Sequence, residues 1–512
     1  WTDLPSFVSS KYLVLLDPQA KFLPNVNPSN PGKMVNFVDD PSTRSRFEDQ
    51  FRPYEMHGQD WKKAYPGTLF RLPLRTPEQA KTSSLSKRAL SDAELGQLLD
   101  GLRIEASAML IFLKSVETIE IRVCEPGDSE PTLTFRCSIG NVTSELRKMR
   151  QFIGKNFSPS GTSSKGDRFG SKAVDFGLRI DCKSFLSIGN ASSYQEAWQV
   201  CNQLGGPGPS AIALDPSNAL LRLVPWGGVA ACVRSGSSSP SPASAQAANG
   251  LAYCFLPLPV RTGLPIMVNG FFELSSNRRD VWQAGPDMTG DGRTRAAWNT
   301  SLMRDVIVPA YLRLLHRVKA DEGFSEHFQR LWPGHGVAAP WNQVADTLLA
   351  SASTEPLLLT QHRSAAQVGA WRKPVDAVLL PAADRVSSDV RDGLRAFLVE
   401  AGLPLVHCLE DLRAALEGSR STGRIATPEM VREYLRSGMK GQRPGLVHCR
   451  MLLAYCLSDL SVDSPLEMSW LSGLAFIPLR DGSTGVLRVF NEGQADAITN
   501  MSAMGFPISS SI

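Results

Sequence analysis

Apolar and polar positions alternate along several short runs, the period of a strand with one buried face. Tyr12 to Leu16 is the first such strand and ends at Asp17-Pro18. Asn25 to Gly32 (NVNPSNPG) is dense in Pro, Asn and Gly and predicts a loop. Gly67 to Arg75 (GTLFRLPLR) predicts a strand with Phe70, Leu72 and Leu74 on one face and Arg71 and Arg75 on the other. Pro77 to Ser86 reads as a polar linker. The period then changes. Ser91 and Glu94 form an S-x-x-E capping box, and an apolar stripe from Leu95 to Phe112 predicts a helix interrupted only by Gly96 and Gly101. Strand alternation returns at Ile119, Ile121 and Val123.

Farther along, Leu221 to Ala231 (LRLVPWGGVAA) reads as a strand broken at Trp226-Gly227-Gly228. Cys254 to Leu258 is a strand whose neighbours Pro257 and Pro259 assign it to a sheet edge. A Thr-Gly turn leads to a second apolar run, Ile266 to Leu274, followed by Ser275-Ser276-Asn277, which reads as helix-cap chemistry. Two adjacent arginines, Arg278 and Arg279, come next. Guanidinium forks pair bidentately with phosphate or carboxylate, so an arginine pair at a strand exit fits an anion reader as well as a structural ion pair. Trp298 to Val318 predicts a helix kinked at Pro309. Val375 to Leu380 and Gly473 to Arg480 predict strands, the latter closed by Asp481-Gly482, and Thr427-Pro428 caps a helix through Leu435.

Two stretches break the pattern: Ser158 to Gly170 is a Ser/Gly-rich insert, and Ser235 to Gly250 is low-complexity and predicted disordered. With 512 residues the chain exceeds one core. The boundaries fall into residues 1–85, 90–321 and 322–512, a mixed α/β and α+β architecture. A net charge of +4 gives no case for nucleic acid, and no apolar run approaches the ~18 residues of a membrane span. The nine cysteines lack framework spacing, which fits reduced thiols in a cytoplasmic protein.

Tests for self-contained chemistry fail. There is no G-x-x-x-x-G-K-[ST], and Gly205-Gly206-Pro207-Gly208 lacks the lysine. Asp287 to Gly292 resembles half of a calcium loop, but position 3 is Thr289 and position 12 is Trp298, where a bidentate Glu is needed. His407-Cys408 and His448-Cys449, with Cys456, carry zinc-binding atoms without zinc spacing, so no metal is expected. A G-x-S-x-G elbow is missing as well. Gly67-Thr68 stays as a weak lead, since glycine admits a phosphate to the backbone and a threonine hydroxyl can bond a base edge.

Longer runs carry a resemblance. TDLPSFVS (Thr2 to Ser9), SRFEDQFRPY (Ser45 to Tyr54) and GTLFRLPLR in the first segment, and LVPWGGVAA (Leu223 to Ala231), YCFLPLP (Tyr253 to Pro259), TGLPIMVNGFFELSSNRRDVW (Thr262 to Trp282) and DMTGDGRTRAAWN (Asp287 to Asn299) in the second, resemble sacsin-type repeat proteins. TPEMVREYLR (Thr427 to Arg436) and GLAFIPLRDG (Gly473 to Gly482) resemble later modules of that family.

The resemblance implies a chaperone-type ATPase of the GHKL superfamily. Residues 1–85 correspond to the far part of its ATP-binding sandwich, residues 90–321 to a chaperone middle-like domain, and residues 322–512 to a sacsin-repeat region. The family's helix Glu and Asn, its Asp-x-Gly-x-Gly loop and its Gly-x-Gly-Phe lid have no counterpart here, and with Trp1 at the start the chain reads as a fragment. The resemblance gives Gly67 and Thr68 a nucleotide-binding role and Arg278 or Arg279 contact with a terminal phosphate. It implies ATP and Mg in the intact protein, none for this chain alone, and client proteins and other chaperones as partners. A scaffold repeat that keeps the fold without ATP chemistry is the alternative.

Overall fold

A computed structural model describes residues 4–18, 20–46, 48–83, 86–125, 127–151, 171–185, 191–235, 250–285, 288–362, 369–419, 423–436, 446–461, 464, 467, 469–478 and 484–486. The architecture is mixed α/β, with several separate sheets. The chain divides into two compact units: Trp1–Ala106 with Glu120–Arg136 and Ser184–Ala191, and Ser107–Ile119 with Cys137–Lys183 and Ser192–Ile512. The Ser158–Gly170 insert, Asp287 and the Asp481-Gly482 turn lie outside the described residues, as does the low-complexity stretch apart from its two end residues.

The first unit is built on four antiparallel strands, β1 (Ser6–Ser10), β2 (Tyr12–Leu16), β3 (Gly32–Asn36) and β4 (Tyr65–Arg71), in the order β3-β2-β1-β4. Register decides which face is the core. Val8 pairs with Leu13 and Leu69, and Leu13 with Val35, so these side chains share a face. Val8, Leu13 and Leu15 are fully buried there against Phe37, Phe51 and Tyr54. Trp61 closes this core edge-on, with ring centroids 4.7 Å from Phe51 and 5.0 Å from Phe37.

The opposite face carries Phe7 against Phe70, 5.3 Å apart, and Phe70 is 66% exposed. The expected stripe of Phe70, Leu72 and Leu74 is therefore an exposed one, because the pairing with Val8 turns Leu69 inward instead. Three helices accompany the sheet, α1 (Pro41–Arg46), α2 (Glu48–Phe51) and α3 (Pro77–Thr82). The last replaces the expected polar linker. Thr76 and Gln79 form a reciprocal capping box, and Pro77 occupies the first turn, where its missing N–H costs nothing. Helix α4 (Asp92–Phe112) starts as its S-x-x-E signal predicts: the Glu94 N–H donates to Ser91 Oγ at 3.3 Å, and the Ser91 N–H to Glu94 Oε2 at 2.9 Å.

The elements that follow are β5 (Thr118–Val123), β6 (Thr132–Ile139), α5 (Ser144–Arg150), β7 (Lys172–Phe185), β8 (Ala191–Leu204), α6 (Pro207–Leu214), β9 (Trp226–Ser235), β10 (Leu251–Cys254), β11 (Leu256–Arg261) and β12 (Met267–Gly270). The second unit's main sheet runs β11-β10-β12-β9-β8-β7 and continues into the Cys137–Ile139 end of β6. β11, with Pro257 and Pro259, is the edge strand its prolines predict, and Phe255 turns the hairpin before it at φ 66°.

Trp226-Gly227-Gly228 does not break a strand. It begins one, because neighbours leave room for hydrogen alone: a Cβ on Gly227 meets Ile307 Cδ1 at 2.5 Å, and one on Gly228 meets Asn202 Oδ1. Over this sheet pass α7 (Asp291–Leu302), a π-turn at Met303–Ile307 and α8 (Val308–Glu322), so the expected kink is a π-turn just before Pro309. Trp298, Ile307, Tyr311 and Leu314 from these helices are fully buried with Val229 and Val268 from the sheet. Each such large side chain contributes about 1.5–3 kcal/mol.

Beyond lie α9 (Glu326–Arg330), α10 (Asn342–Ala352), α11 (Ser388–Glu400), α12 (Glu410–Gly418), α13 (Pro428–Arg436) and α14 (Leu446–Leu457). The Val375–Leu380 strand shortens to Val378–Leu379 behind a 3-10 turn at Pro374–Asp376. Phe397, Leu398, Val431 and Cys456 form a second buried cluster there. Thr427 caps α13 as predicted, its Oγ1 accepting from the Met430 N–H at 3.2 Å.

Candidate functional site

Gly270 ends β12, and the chain runs on as Phe271 to Leu274 into a hairpin closed by the Leu274–Val281 bridge. Its loop holds itself. Asp280 carbonyl oxygen accepts from the Ser275 N–H at 2.9 Å, and Ser275 carbonyl oxygen accepts from the Arg278 N–H at 2.8 Å. Asn277 Oδ1 takes the Ser275 hydroxyl at 2.7 Å and the Arg279 N–H at 3.0 Å. Ser275-Ser276-Asn277 therefore caps no helix. The same side-chain oxygens that cap helices here close a turn, because the following residues return as a strand rather than coil.

The base of the hairpin is clamped from α7. Asn299 is 2% exposed and binds both sides at once. Its Oδ1 accepts from the Glu273 N–H at 2.9 Å, and its Nδ2 donates to the carbonyls of Glu273 at 2.8 Å and Trp282 at 2.9 Å. Both of its N–H donors and one of the two acceptor positions on Oδ1 are used. Trp298 Nε1 donates to the Phe271 carbonyl at 2.8 Å, and Trp282 Nε1 to the Gly292 carbonyl at 3.0 Å. Arg295 pairs with Glu273 at 3.0 Å and lies over the Trp282 ring at 5.8 Å. Burial pushes the Glu273 carboxyl upward, and Arg295 opposes the shift.

At the tip stand Arg278 and Arg279, both exposed. Neither makes a salt bridge among the described residues, so the structural ion pair that composition allows is not formed there. Arg278 adopts φ 56°, the left-handed region that costs a side-chain-bearing residue about 1–2 kcal/mol. A clamped base thus presents two exposed guanidinium forks that are unpaired among the described residues. That arrangement can bind an anion without first breaking an ion pair.

In the first unit Gly67 and Thr68 lie on β4. Thr68 pairs with Ser9 across the strands and donates its hydroxyl to Ser9 Oγ at 3.1 Å. A Cβ on Gly67 would touch only Tyr65, at an ordinary 3.6 Å, so its backbone does not require glycine. The unit also has a cavity of about 670 Å³ lined by Leu4, Phe22, Leu74, Arg75, Arg88 and Leu98 among others, and neither Gly67 nor Thr68 reaches it. No cluster of three metal-ligating side chains occurs among the described residues. His407 is placed by backbone bonding to Leu359, whereas the side chains of His448 and Cys449 lie outside the described set. No described helix is long and apolar enough to cross a membrane.

Sequence reasoning missed Asn299. The available signal was a polar residue directly after Trp298, followed on its helix face by Leu302 and Met303 and 22 residues from Asn277.

Residues 1–136 match the family profile of the Sacsin domain. Human sacsin is 34% identical over 327 residues, which are 62% of this chain and 6% of that protein, so the chain spans a small part of its relative's length. No solved structure matches. The Sacsin-domain match over residues 1–136 and the 34% identity over 62% of the chain together support a sacsin-like protein.

Proposed function

We propose that the chain is a segment of a sacsin-like molecular chaperone or co-chaperone repeat that assists protein folding and quality control in the cytoplasm. In this reading the intact protein couples ATP and Mg, held in a GHKL-type site, to domain motion, and its partners are client proteins and other chaperones. Arg278 or Arg279 meets the terminal phosphate there, and Gly67 and Thr68 lie at the nucleotide. The observation that carries the reading is the clamped hairpin with two arginines that form no ion pair among the described residues, one of them in a left-handed conformation. Positioned charge of this kind stabilises the transferring phosphoryl group and is worth about 1000-fold or more in rate. The exposed Phe70 face of the first sheet agrees with a strand layer that belongs to a larger sandwich.

The test is ATPase activity in a longer sacsin-type polypeptide carrying this segment, with Arg278→Ala and Arg279→Ala. A loss of about 1000-fold in one of them is expected. Unchanged rates in both would refute the role. A second reading, a binding scaffold without ATP chemistry, is favoured by Thr68, whose hydroxyl is already committed to Ser9. That reading expects no turnover in the parent protein either.

A further inference from the structure

The second unit contains two buried thiols in direct contact. Cys137 on β6 and Cys182 on β7 are 0% and 1% exposed, and their sulfur atoms are 3.2 Å apart. The backbone explains why they meet. The Gly140 N–H donates to the Arg179 carbonyl, which sets the register of the two strands. Three residues back along one strand and three forward along the other bring Cys137 opposite Cys182. Residues directly opposite on antiparallel strands point to the same face with Cα atoms about 4.5–5.5 Å apart, which agrees with the 3.2 Å approach of the two sulfurs. Either spacing lies within the range of native disulfides, about 4.4–6.8 Å.

We infer that Cys137 and Cys182 are an oxidisable pair that closes into a cross-strand disulfide, with a peroxide as the oxidant. One thiol attacks the peroxide O–O bond, becoming a sulfenic acid and releasing water. The other sulfur then attacks the sulfenic sulfur, forming the S–S bond and releasing a second water. Two thiols and one hydrogen peroxide give one disulfide and two waters. The sulfur atoms need travel only about 1 Å to reach bonding distance of ~2.05 Å. The product joins residues 45 apart in sequence and closes a loop that includes the Ser/Gly-rich stretch from Ser158 to Gly170.

Two features shape the reaction. Contact with Cys182, and burial, hold the Cys137 thiol protonated, and the thiolate is the reactive form, so closure is slow. The pair is also dry: Tyr194 packs against Cys182 and the buried Glu196 lies near Cys137, so the reagent must be small. Exposed Cys124 has neither constraint and serves as an internal reference for the oxidant.

The experiment exposes the full chain to hydrogen peroxide, blocks remaining thiols after unfolding, digests with trypsin and reads the peptides by mass. The expected species joins Cys137–Arg147 to Ile180–Lys183, lighter by two hydrogens than the separate peptides and restored by dithiothreitol. In Cys182→Ser the sulfenic acid on Cys137 persists and is trapped by dimedone added together with the denaturant, whereas the parent protein treated in the same way gives no adduct there. Recovery of both peptides fully alkylated, from a sample in which Cys124 is oxidised, overturns the inference. Cys137 joined to a different cysteine overturns it as well. The peptide measurement on the parent chain stands even if the variant fails to fold.

Discussion

Replacing Asn299 by Ala should loosen the arginine hairpin before it affects anything else. Three hydrogen bonds between 2.8 and 2.9 Å disappear together. At a net 0.5–1.5 kcal/mol each they sum to about 3 kcal/mol, and the half-buried Glu273 N–H and two carbonyls lose their partner. If the hairpin opens locally, losing about 3 kcal/mol from the opening free energy speeds exchange of the Glu273 amide by about 100-fold. The assay is hydrogen exchange by mass spectrometry on the peptide covering residues 271–283, with the β9 peptide as reference. Asn299→Asp refines the reasoning. It keeps the acceptor for the Glu273 N–H but sets a carboxylate against two carbonyls, so it should be at least as disruptive as Ala. Arg278→Ala at the free tip should leave the exchange of residues 271–274 untouched. Less than a threefold change in Asn299→Ala, or full protection in Asn299→Asp, would refute the clamp.

Calorimetric titration of this chain with ATP and Mg should show no micromolar binding; a micromolar Kd would overturn the view that the chain alone lacks a working nucleotide site. Gly227→Ala places a methyl group 2.5 Å from Ile307 Cδ1 in the main core, and overpacking of that kind costs about 1–3 kcal/mol, readable as a lower urea midpoint. Glu417 is held below the ordinary glutamate value mainly by its hydrogen bond to the buried Arg413. A carboxyl depressed in the folded state contributes stability above its unfolded value of 4.5, and that contribution is lost as pH falls through the lowered folded value. Arg413→Met should therefore flatten the acid limb of the stability–pH curve; an unchanged limb would place the acid sensitivity elsewhere.

What could be read from sequence, and what could not, divides by the distance between partners. Ser91 with Glu94 and Thr427 with Met430 were legible because capping joins residues three apart, so the pattern and the bond are one fact. The prolines of β11 declared an edge for the same local reason: they cannot donate to a neighbouring strand. Ser275-Ser276-Asn277 misled because these oxygens serve helix caps and hairpin loops equally, and the choice was made by Asn299, more than twenty residues away. Gly227-Gly228 looked like a break for want of Ile307 and Asn202, and Phe70 looked inward for want of the register with β1. The site divides in the same way. The arginine pair was visible as composition, but its freedom from ion pairs and its left-handed backbone are properties of a turn fastened from another element. The turn's own hydrogen bonds hold Arg278 in that backbone state at a cost of about 1–2 kcal/mol, and they leave its guanidinium outside any ion pair among the described residues.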